Sequence, residues 1–368
     1  MKSYVPDRPT ADCRALIEAV ETRARTAEKE ARALPRTARQ AYIYDHTFTN
    51  EIEAVAYHLA TAINRVPDFR DPFLYAEKLR SLYLTHPNPL MSLVADKVFL
   101  PRYCAHFDTP IRPPKIHAVH DDPADLDLSS LPQTAMLKIS DGCKMNLLHG
   151  PGMPVTRFAY RRFLRQFWHI DHWRRHAELH YRDIPRRLMV EEALLPIERL
   201  SETGVFCAFG RPYMAITKSG YAADRFYGAV DGILALEDSL KPLERYEDMR
   251  PPPFETAFPD PFRDAMLETT RRLAAPLPHC RVDFMLSEGR CFLGEITISP
   301  VALRDFFHEP EQQKMDSDLF DLSKLPDCLA QGRAIAAKLG WPTETSFGHV
   351  SPDDPRLATG GHEERHAT

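Results

Sequence analysis

Two β-type runs in the last third of the chain carry residues whose types and spacing could do chemistry. The runs are residues 281–286 and 291–298. The four residues between them, with the sequence Ser-Glu-Gly-Arg, combine a turn glycine with polar neighbours, which is typical of a hairpin. Because side chains alternate between the two faces of a strand, the length of this turn decides which residues oppose each other.

The register of this hairpin has two possible solutions. A two-residue turn would place Asp283 opposite Gly294, with the acidic side chains on different faces. A three-residue turn would instead pair Asp283 with Glu295 and Arg281 with Thr297. We expect the second register, because it collects the apolar side chains of the hairpin on the opposite face. Those side chains are Val282, Phe284, Leu286, Phe292, Ile296 and Ile298.

The predicted pair of carboxylates needs a positive charge nearby, since like charges directly opposite each other repel. Oxygen ligands from Asp283 and Glu295, completed by water and phosphate oxygens, suit Mg²⁺ better than zinc, which prefers His or Cys. The same pattern also allows a solvated strand face on which Arg281 neutralises both acids. The sequence therefore leaves a magnesium site and a cluster of ion pairs as alternatives.

The composition excludes several classes of protein. The 47 Lys and Arg against 52 Asp and Glu give a formal charge of -5 with both signs spread through the chain, so nucleic acid is not an expected partner. No apolar run approaches the ~18 residues of a membrane span. Residues 1–20 carry scattered charges and lack the apolar core of a secretory signal, so we expect a cytoplasmic protein.

Common nucleotide and metal motifs are missing from the sequence. Neither Gly-x-Gly-x-x-Gly nor Gly-x-x-x-x-Gly-Lys-Ser/Thr occurs, which argues against a dinucleotide fold and a P-loop ATPase. The 7 cysteines never show Cys-x-x-Cys spacing and predict neither a zinc knuckle nor a disulfide framework.

A run of histidines is the one other candidate for a metal site. The pattern of residues 156–181 predicts a long helix that carries His169, His172, His176 and His180, the last three on one face. Histidines at this spacing can hold zinc, but the Glu of a metalloprotease helix is missing and the neighbouring residues are cationic. We therefore expect a polar or pH-sensitive helix face.

The spacing of the predicted elements indicates an α+β protein of more than one lobe, for which 368 residues are sufficient. Helical spacing dominates residues 11–34, 49–63, 73–84 and 89–107. Short β-type runs follow at residues 115–119, 134–139, 187–191, 204–209 and 212–217. We expect residues 1–92 to form a helical N-terminal region and residues 346–368 to form a disordered tail.

The hairpin resembles a known motif. Arg-x-Asp, followed by Gly-Glu-x-Thr with the Glu twelve residues after the Asp, is similar to the metal-binding hairpin of the ATP-grasp superfamily. Other segments between about Asp71 and Pro310 resemble its TupA-like branch, which is associated with polysaccharide and teichuronopeptide biosynthesis. Those segments are residues 75–79, 95–97 with Tyr103, 131–138 with Gly142 and Asn146, and 190–194.

This resemblance implies an ATP-grasp fold, in which two α/β lobes clasp ATP behind a mainly helical N-terminal region. The implied lobes are residues 93–190 and 191–345. It implies that Lys97 and Lys138 bind the phosphates of ATP, and that Lys138 and Arg281 are the catalytic cations. The loop with Gly142 and Asn146 would close over the phosphates. The other implied ligands are Glu191, Glu192 and Glu198 for the adenosine, with Glu202 as an alternative at the ribose, and Asp283, Glu295 and Thr297 for two Mg²⁺ ions.

The activity that the resemblance implies is that of an ATP-dependent ligase in polysaccharide or cell-surface biosynthesis. A small-molecule or glycan carboxylate would become an acyl phosphate and react with an amine acceptor. Phosphotransfer to a hydroxyl on the same scaffold, and a non-catalytic nucleotide-binding partner of glycan assembly, are the alternatives. One departure from the branch is Thr203-Gly204, which stands in the place of a Tyr-Lys pair. The sequence predicts no oligomeric state.

Overall fold

The computed structural model of the protein describes residues 6–219, 229–235, 258–259, 262–300 and 317–358. Within these residues six helices come first in the chain, and two antiparallel sheets with further helices follow. This order confirms the predicted α+β class with a mainly helical N-terminal region. No helix in the described part is long and apolar enough to cross a membrane.

The N-terminal helices are α1 (Ala11–Ala31), α2 (Arg36–Thr47), α3 (Glu51–Ile63), α4 (Tyr75–Thr85), α5 (Leu90–Ala95) and α6 (Leu100–His106). Side-chain caps fix two of their starts, because Thr10 accepts a hydrogen bond from Cys13 N–H at α1 and Asn50 accepts one from Glu53 N–H at α3.

The predicted helix over residues 89–107 is interrupted between α5 and α6. Asp96 stands at the interruption, where its carboxylate accepts a hydrogen bond from Val98 N–H and forms an ion pair with Arg187. A side chain that bonds to the backbone two residues later favours a turn over a continuing helix. Lys97 consequently lies in a turn between two helices.

Helix α7 (Arg157–Phe167) is shorter than the sequence predicts. Two 3-10 helices, His172–Arg175 and Leu179–Asp183, follow it in place of a continuing helix. The break is stabilised at Asp171, whose N–H donates to Gln40 Oε1 and whose carboxylate binds Arg174. The four histidines therefore share no helical face, and the predicted histidine face is wrong.

The strands form two antiparallel sheets. The first has the order β1-β4-β2-β3 and contains β1 (Ile116–His120), β2 (Ala135–Ile139), β3 (Asn146–His149) and β4 (Leu188–Glu191). The second has the order β7-β6-β5-β8-β9 and contains β5 (Ser201–Ala208), β6 (Arg211–Ser219), β7 (Ala229–Ala235), β8 (His279–Ser287) and β9 (Arg290–Thr297). The strands predicted from the sequence are present, with small shifts at their ends.

Three apolar clusters hold these layers together. The largest joins helices α3 to α6 and helix α8 (Arg263–Ala274) to the second sheet, so the N-terminal helices share a core with the hairpin strands. Another lies between α7 and the first sheet. The third, which we name the inter-sheet cluster, brings Met136 and Leu148 of the first sheet against Leu194, Met285 and Phe292.

The chain after residue 345 is packed as far as residue 358. It follows helix α9 (Leu325–Leu339), and its side chains Phe347 and Leu357 are fully buried in the largest cluster. Val350 N–H also donates to the Leu84 carbonyl oxygen at 2.9 Å. The expected disordered tail is thus corrected for residues 346–358, because two apolar side chains anchor a segment of polar composition. Residues 359–368 lie outside the described part of the chain.

We expect Phe347→Ala to lower the free energy of unfolding by about 3–5 kcal/mol, because it leaves a cavity in place of a fully buried phenyl ring. Phe158→Ala is the matched control, since Phe158 is 72% exposed. Its effect should stay within about 0.5 kcal/mol. Urea unfolding measures both values, and equal effects in the two variants would show that the C-terminal segment contributes nothing to the core.

Candidate active site

The hairpin of β8 and β9 has the predicted register at its polar end. Asp283 lies opposite Glu295, and Arg281 lies opposite Thr297. All four side chains project from the same face of the second sheet, because residues two apart on a strand point in the same direction. The predicted pairing of these four residues is therefore present, although the turn that was expected to produce it is not.

The turn of the hairpin differs from the predicted three-residue loop. Ser287 pairs with Arg290, so the loop has only two residues. A bulge at Gly294 supplies the shift in register that the shorter loop lacks. A Cβ at this position would lie 3.1 Å from Met285 Cγ and 3.2 Å from the Asp283 carbonyl oxygen, so the close approach favours glycine.

The bulge also exchanges two apolar side chains between the faces. Leu293, rather than Phe292, is fully buried in the core with Phe284 and Val282. Phe292 pairs with Met285 and joins the inter-sheet cluster. The prediction that Phe292 faces the core is wrong, because the alternating pattern contains no sign of an extra residue in β9.

A bidentate ion pair occupies the centre of the polar face. Arg281 Nε donates to Asp283 Oδ1 at 2.6 Å, and Nη2 donates to Oδ2 at 2.8 Å. The two residues are only 6% and 1% exposed. Burial disfavours the charged form of Arg281, but the Asp283 carboxylate outweighs it and raises the pKa of the guanidinium. The face is therefore buried rather than solvated, and Arg281 forms its ion pair with Asp283.

Thr297 connects the two acids. Its Oγ1 lies 2.9 Å from Asp283 Oδ2 and 3.1 Å from Glu295 Oε1, so one hydroxyl proton is shared between two carboxylates. Glu295 is half-buried and is the more accessible of the two acids. Three carboxylates act electrostatically on Arg281, namely those of Asp283, Glu202 and Glu295.

Gly204 on the neighbouring strand β5 makes room for the ion pair. It lies opposite Asp283, and a Cβ at this position would lie 2.5 Å from Asp283 Oδ1 and 2.9 Å from Arg281 Cδ. A larger residue would displace the guanidinium or the carboxylate. The departure from the Tyr-Lys pair at Thr203-Gly204 thus has a physical reason, because a lysine at position 204 and this ion pair exclude each other.

A second group of predicted ligands assembles on the first sheet. Lys138 on β2 lies opposite Asn146 on β3, and its ammonium group forms an ion pair with Glu191 at the end of β4. The side chains of Lys138 and Glu191 are only 17% and 8% exposed. A lysine in such a place can exchange its carboxylate partner for a phosphate oxygen, because both are anionic acceptors.

Lys97 joins this group through the loop that follows β2. Its Nζ donates to the Gly142 carbonyl oxygen at 2.5 Å, although 45 positions separate the two residues. Arg186 holds the start of the same loop through Asp141, with an N–O distance of 2.8 Å. Five of the predicted nucleotide ligands are therefore neighbours around this loop and the strands it connects. They are Lys97, Lys138, Gly142, Asn146 and Glu191.

The other two acids predicted for the adenosine site have different surroundings. The N–H of Glu192 donates to the Lys115 carbonyl oxygen at 2.8 Å, and its carboxylate lies 3.4 Å from Arg290 Nη1 in the hairpin turn. Glu198 lies in the 3-10 helix Ile197–Arg199, and its side chain is outside the described part of the structure. Neither placement tests their predicted roles.

A buried group that the sequence did not reveal lies between the loop after β2 and the end of β9. Glu178 accepts a hydrogen bond from Ser299 Oγ, and its other oxygen lies 3.4 Å from His172 Nε2. Cys143 of the loop also acts electrostatically on His172. No sequence signal predicts this group, because Ser299 and Glu178 are 121 positions apart.

The surroundings of His172 and Glu178 stabilise these two side chains as an ion pair. Burial lowers the pKa of His172, but the interactions with Cys143 and Glu178 outweigh it and raise the pKa to about 9. Burial raises the pKa of Glu178, but the hydrogen bond and the charge of His172 lower it to about 2. At neutral pH both side chains are therefore charged.

The polar face of the hairpin offers only oxygen donors to a metal. In the part of the chain that the structure describes, no group of three or more His, Cys, Asp or Glu residues is placed to hold a metal ion. A cation at Asp283, Glu295 and Thr297 would need additional oxygen ligands from water or from a bound phosphate. This donor set fits Mg²⁺ bound together with a nucleotide, and it does not fit a zinc site.

Comparisons with known proteins find similarity in solved structures. No family model matches the chain, and no curated protein matches it. D-alanine–D-alanine ligase from Bacillus anthracis complexed with ATP has 15% identity and a TM-score of 0.36, with 71% of this chain and 74% of that chain covered. The ATP-grasp ligase PsnB complexed with a minimal precursor has 12% identity and a TM-score of 0.36, with 65% of this chain and 63% of that chain covered. D-cycloserine synthetase DcsG has 16% identity and a TM-score of 0.34, with 63% of this chain and 72% of that chain covered. TM-scores this low do not by themselves demonstrate a shared activity.

We expect Asp283→Asn to destabilise the fold, because it leaves the buried charge of Arg281 without its partner. The free energy of unfolding should fall by about 3 kcal/mol or more, as is typical when a buried ion pair is broken. Glu295→Gln is the matched control, and its effect should stay within about 1 kcal/mol because Glu295 is half-buried. Urea unfolding measures both, and a small effect of Asp283→Asn would contradict the importance of the pair.

The ion pair of His172 and Glu178 predicts a loss of stability at alkaline pH. The pKa of His172 is raised in the folded state from 6.5 to about 9. The contribution of His172 to the free energy of unfolding is therefore fully present below pH 6.5 and is lost as the pH rises through about 9. The difference in free energy of unfolding between the wild type and His172→Gln should therefore shrink by roughly 2–3 kcal/mol over this range.

Urea unfolding at a series of pH values measures this difference. Between pH 5 and 6.5 the difference in free energy of unfolding between the wild type and His172→Gln should be constant. The pKa of Glu178 is lowered from 4.5 to about 2, so its stabilising contribution is present above pH 4.5 and is lost only as the pH falls through about 2. A difference that is the same at neutral and at alkaline pH would show that His172 is not charged in the folded protein.

Proposed function

We propose that the chain is an ATP-dependent ligase of the ATP-grasp type, which joins a carboxylate to an amine through an acyl phosphate. The observation that supports this most is the hairpin face on which Arg281, Asp283, Glu295 and Thr297 meet. Two acids joined by a hydroxyl form an oxygen-donor set suited to Mg²⁺ with ATP. The similarity to solved ligases is too low to carry this argument, which rests on the site and on the resemblance of its residues.

The group on the first sheet is proposed to bind the phosphates of ATP. Lys97 would exchange the Gly142 carbonyl for a phosphate oxygen, and Lys138 would exchange the Glu191 carboxylate. The loop with Gly142 and Asn146 would then close over the phosphates. Both lysines already have hydrogen-bond acceptors, so their positions are set before the nucleotide binds, which lowers the entropic cost of binding.

The adenine ring is proposed to lie at the end of β4. Glu191 ends this strand, and the next residues lead into the inter-sheet cluster, where Ala193 and Leu194 are buried. An apolar wall beside backbone donors and acceptors is suited to a flat heterocycle. Glu192 and Glu198 remain predicted ligands of the same nucleoside.

Asp283, Glu295 and Thr297 would hold the magnesium, for which two ions are predicted. When bound, magnesium neutralises charge on the phosphates and so helps an anionic carboxylate to approach. Arg281 orients Asp283 through its two hydrogen bonds. Thr297 fixes the two carboxylates relative to each other through its hydroxyl.

The reaction requires activation, because a carboxylate does not condense with an amine at neutral pH. In the proposed first step a carboxylate oxygen attacks the γ-phosphorus of ATP, the bond to the β-phosphate oxygen breaks and ADP leaves. In the second step the amine attacks the acyl carbon, phosphate leaves with the bonding electrons, and the nitrogen loses a proton. Lys138 would stabilise charge on the transferring phosphoryl group, and Arg281 is the predicted cation at the acyl phosphate.

The proposed substrates are a small-molecule or glycan carboxylate and an amine acceptor. We place the reaction in the cytoplasm and in polysaccharide or cell-surface biosynthesis. This part of the proposal rests on the resemblance of residues 71–310 to the TupA-like branch. The division into lobes at residues 93–190 and 191–345 rests on the same resemblance.

Calorimetric titration with ATP, with and without Mg²⁺, tests the site. We expect magnesium to tighten ATP binding to the wild type by about tenfold or more, and Glu295→Gln to lose most of this gain but to keep the affinity measured without metal. Glu268→Gln changes an exposed acid that is paired with Arg272 on α8, and it should behave as the wild type. Lys138→Met should weaken binding with and without the metal.

An equal effect of magnesium on Glu295→Gln and on the wild type would contradict the metal site. No binding of ATP under any condition would contradict the proposed function as a whole. Product analysis separates the alternatives, because a ligase couples the release of ADP and phosphate to a condensed product, and a phosphotransferase leaves a phosphorylated hydroxyl. A non-catalytic partner would bind ATP without turnover.

A further inference from the structure

Helix α7 presents a cationic face to solvent. Arg157, Arg161, Arg162 and Arg165 are all exposed, as is Phe158. At about 100° per residue these five side chains fall within an arc of about 140°, with Phe158 between Arg165 and Arg162. The opposite side of the helix buries its aromatic residues against the first sheet. The helix therefore separates an apolar inner face from an arginine-rich outer face.

The charge on this outer face is largely uncompensated. α7 contains no acidic residue, although the whole chain has a formal charge of -5. Arg157 acts electrostatically on Asp127, where it contributes to a lowered pKa. Arg161, Arg162 and Arg165 take part in none of the ion pairs found in the described residues.

This arrangement is unfavourable to the helix itself. Arg157, Arg161 and Arg165 follow one another at spacings of four residues, at which like charges repel. Arg157 also lies in the first turn, where a cation opposes the helix dipole. Helix stability therefore does not explain the stripe, which is chemically suited to an anionic partner.

The exposed apolar side chains indicate what kind of anion this is. Phe158 is 72% exposed at the centre of the arginine face, and Met153, in the turn before α7, is 45% exposed. An aromatic ring surrounded by arginines on a convex helix suits a surface that is anionic outside and apolar beneath.

We propose that α7 docks the protein on bilayers that contain anionic lipids. The arginines contact lipid phosphates, and Phe158 and Met153 enter the boundary between headgroups and acyl chains. Lys138 and Glu191 lie on the face of the first sheet opposite α7, since Leu137 and Val190 alternate with them and pack against α7. Docking therefore leaves the proposed nucleotide group accessible. The inference does not depend on the proposed ligase activity.

Co-sedimentation with lipid vesicles tests the proposal. We expect the full-length protein to bind vesicles of phosphatidylcholine mixed with phosphatidylglycerol and not vesicles of phosphatidylcholine alone. Binding should weaken between about 0.05 M and about 0.5 M salt, because salt screens charges at a surface. The double variant Arg161→Gln and Arg165→Gln should bind at least about tenfold more weakly. Phe158→Ser should weaken binding to the anionic vesicles by about threefold or more.

The matched control removes two arginines elsewhere, in Arg25→Gln and Arg32→Gln, both exposed at α1. This control should bind the anionic vesicles as tightly as the wild type does. It therefore separates the effect of the α7 face from the effect of the net charge of the protein. The proposal is overturned by equal binding to neutral and anionic vesicles, or by equal binding of the α7 double variant and the wild type. Binding to a soluble polyanion such as heparin without binding to vesicles also overturns it. Circular dichroism verifies that the variants, all at exposed positions, keep their helix content.

Discussion

The buried ion pair between Arg281 and Asp283 constrains the structure around the hairpin. Removing both charges from water costs several kcal/mol per ion, and only a tight geometry with further hydrogen bonds offsets that cost. The two hydrogen bonds of the guanidinium and the hydroxyl of Thr297 supply this geometry. Gly204 provides the space for it, and the bulge at Gly294 brings the acids into register. Features that look unrelated in the sequence thus have one physical cause.

The same rule governs the other buried charges and connects distant parts of the chain. Asp96 pairs with Arg187, Lys138 with Glu191 and His172 with Glu178. The first pair connects the turn between α5 and α6 to the start of β4, and the second connects two strands of the first sheet. The third lies within one segment and stabilises it locally. The cations predicted to bind phosphate are already partnered, and a nucleotide would therefore bind by exchange of acceptors. Such an exchange keeps Lys138 partnered throughout, whereas Glu191 must find another partner once the phosphate is bound.

Helix α7 shows the opposite situation. Its arginines are exposed, so they carry little desolvation cost, and water and salt screen their mutual repulsion. The first sheet therefore has two chemically different sides. Its Lys138 side combines buried ion pairs with the inter-sheet cluster, and the other side carries α7 with its cationic surface. A sheet of four strands thus separates the proposed nucleotide group from the proposed docking face.

The amino-acid sequence by itself determined the features that depend on near neighbours. The caps at Thr10 and Asn50 and the helical spacing of the N-terminal region follow from local propensity. The placement of Arg281 with Asp283 on one face, and of Glu295 with Thr297 on one face, follows from the two-residue period of a strand. Their pairing across the hairpin also required the bulge at Gly294, because the turn has two residues and not the predicted three.

Only the tertiary structure decided the features that depend on distant partners. Asp171 interrupts the predicted helix through Gln40, which is 131 positions away, and Ser299 meets Glu178 across 121 positions. Phe347 anchors a segment of polar composition because the core offers it a place. The burial that converts Arg281 and Asp283 from a solvated pair into a structural one is likewise supplied by other strands. Local periodicity carries no information about such partners, because their contribution is to desolvate or neutralise a side chain and not to alter its spacing.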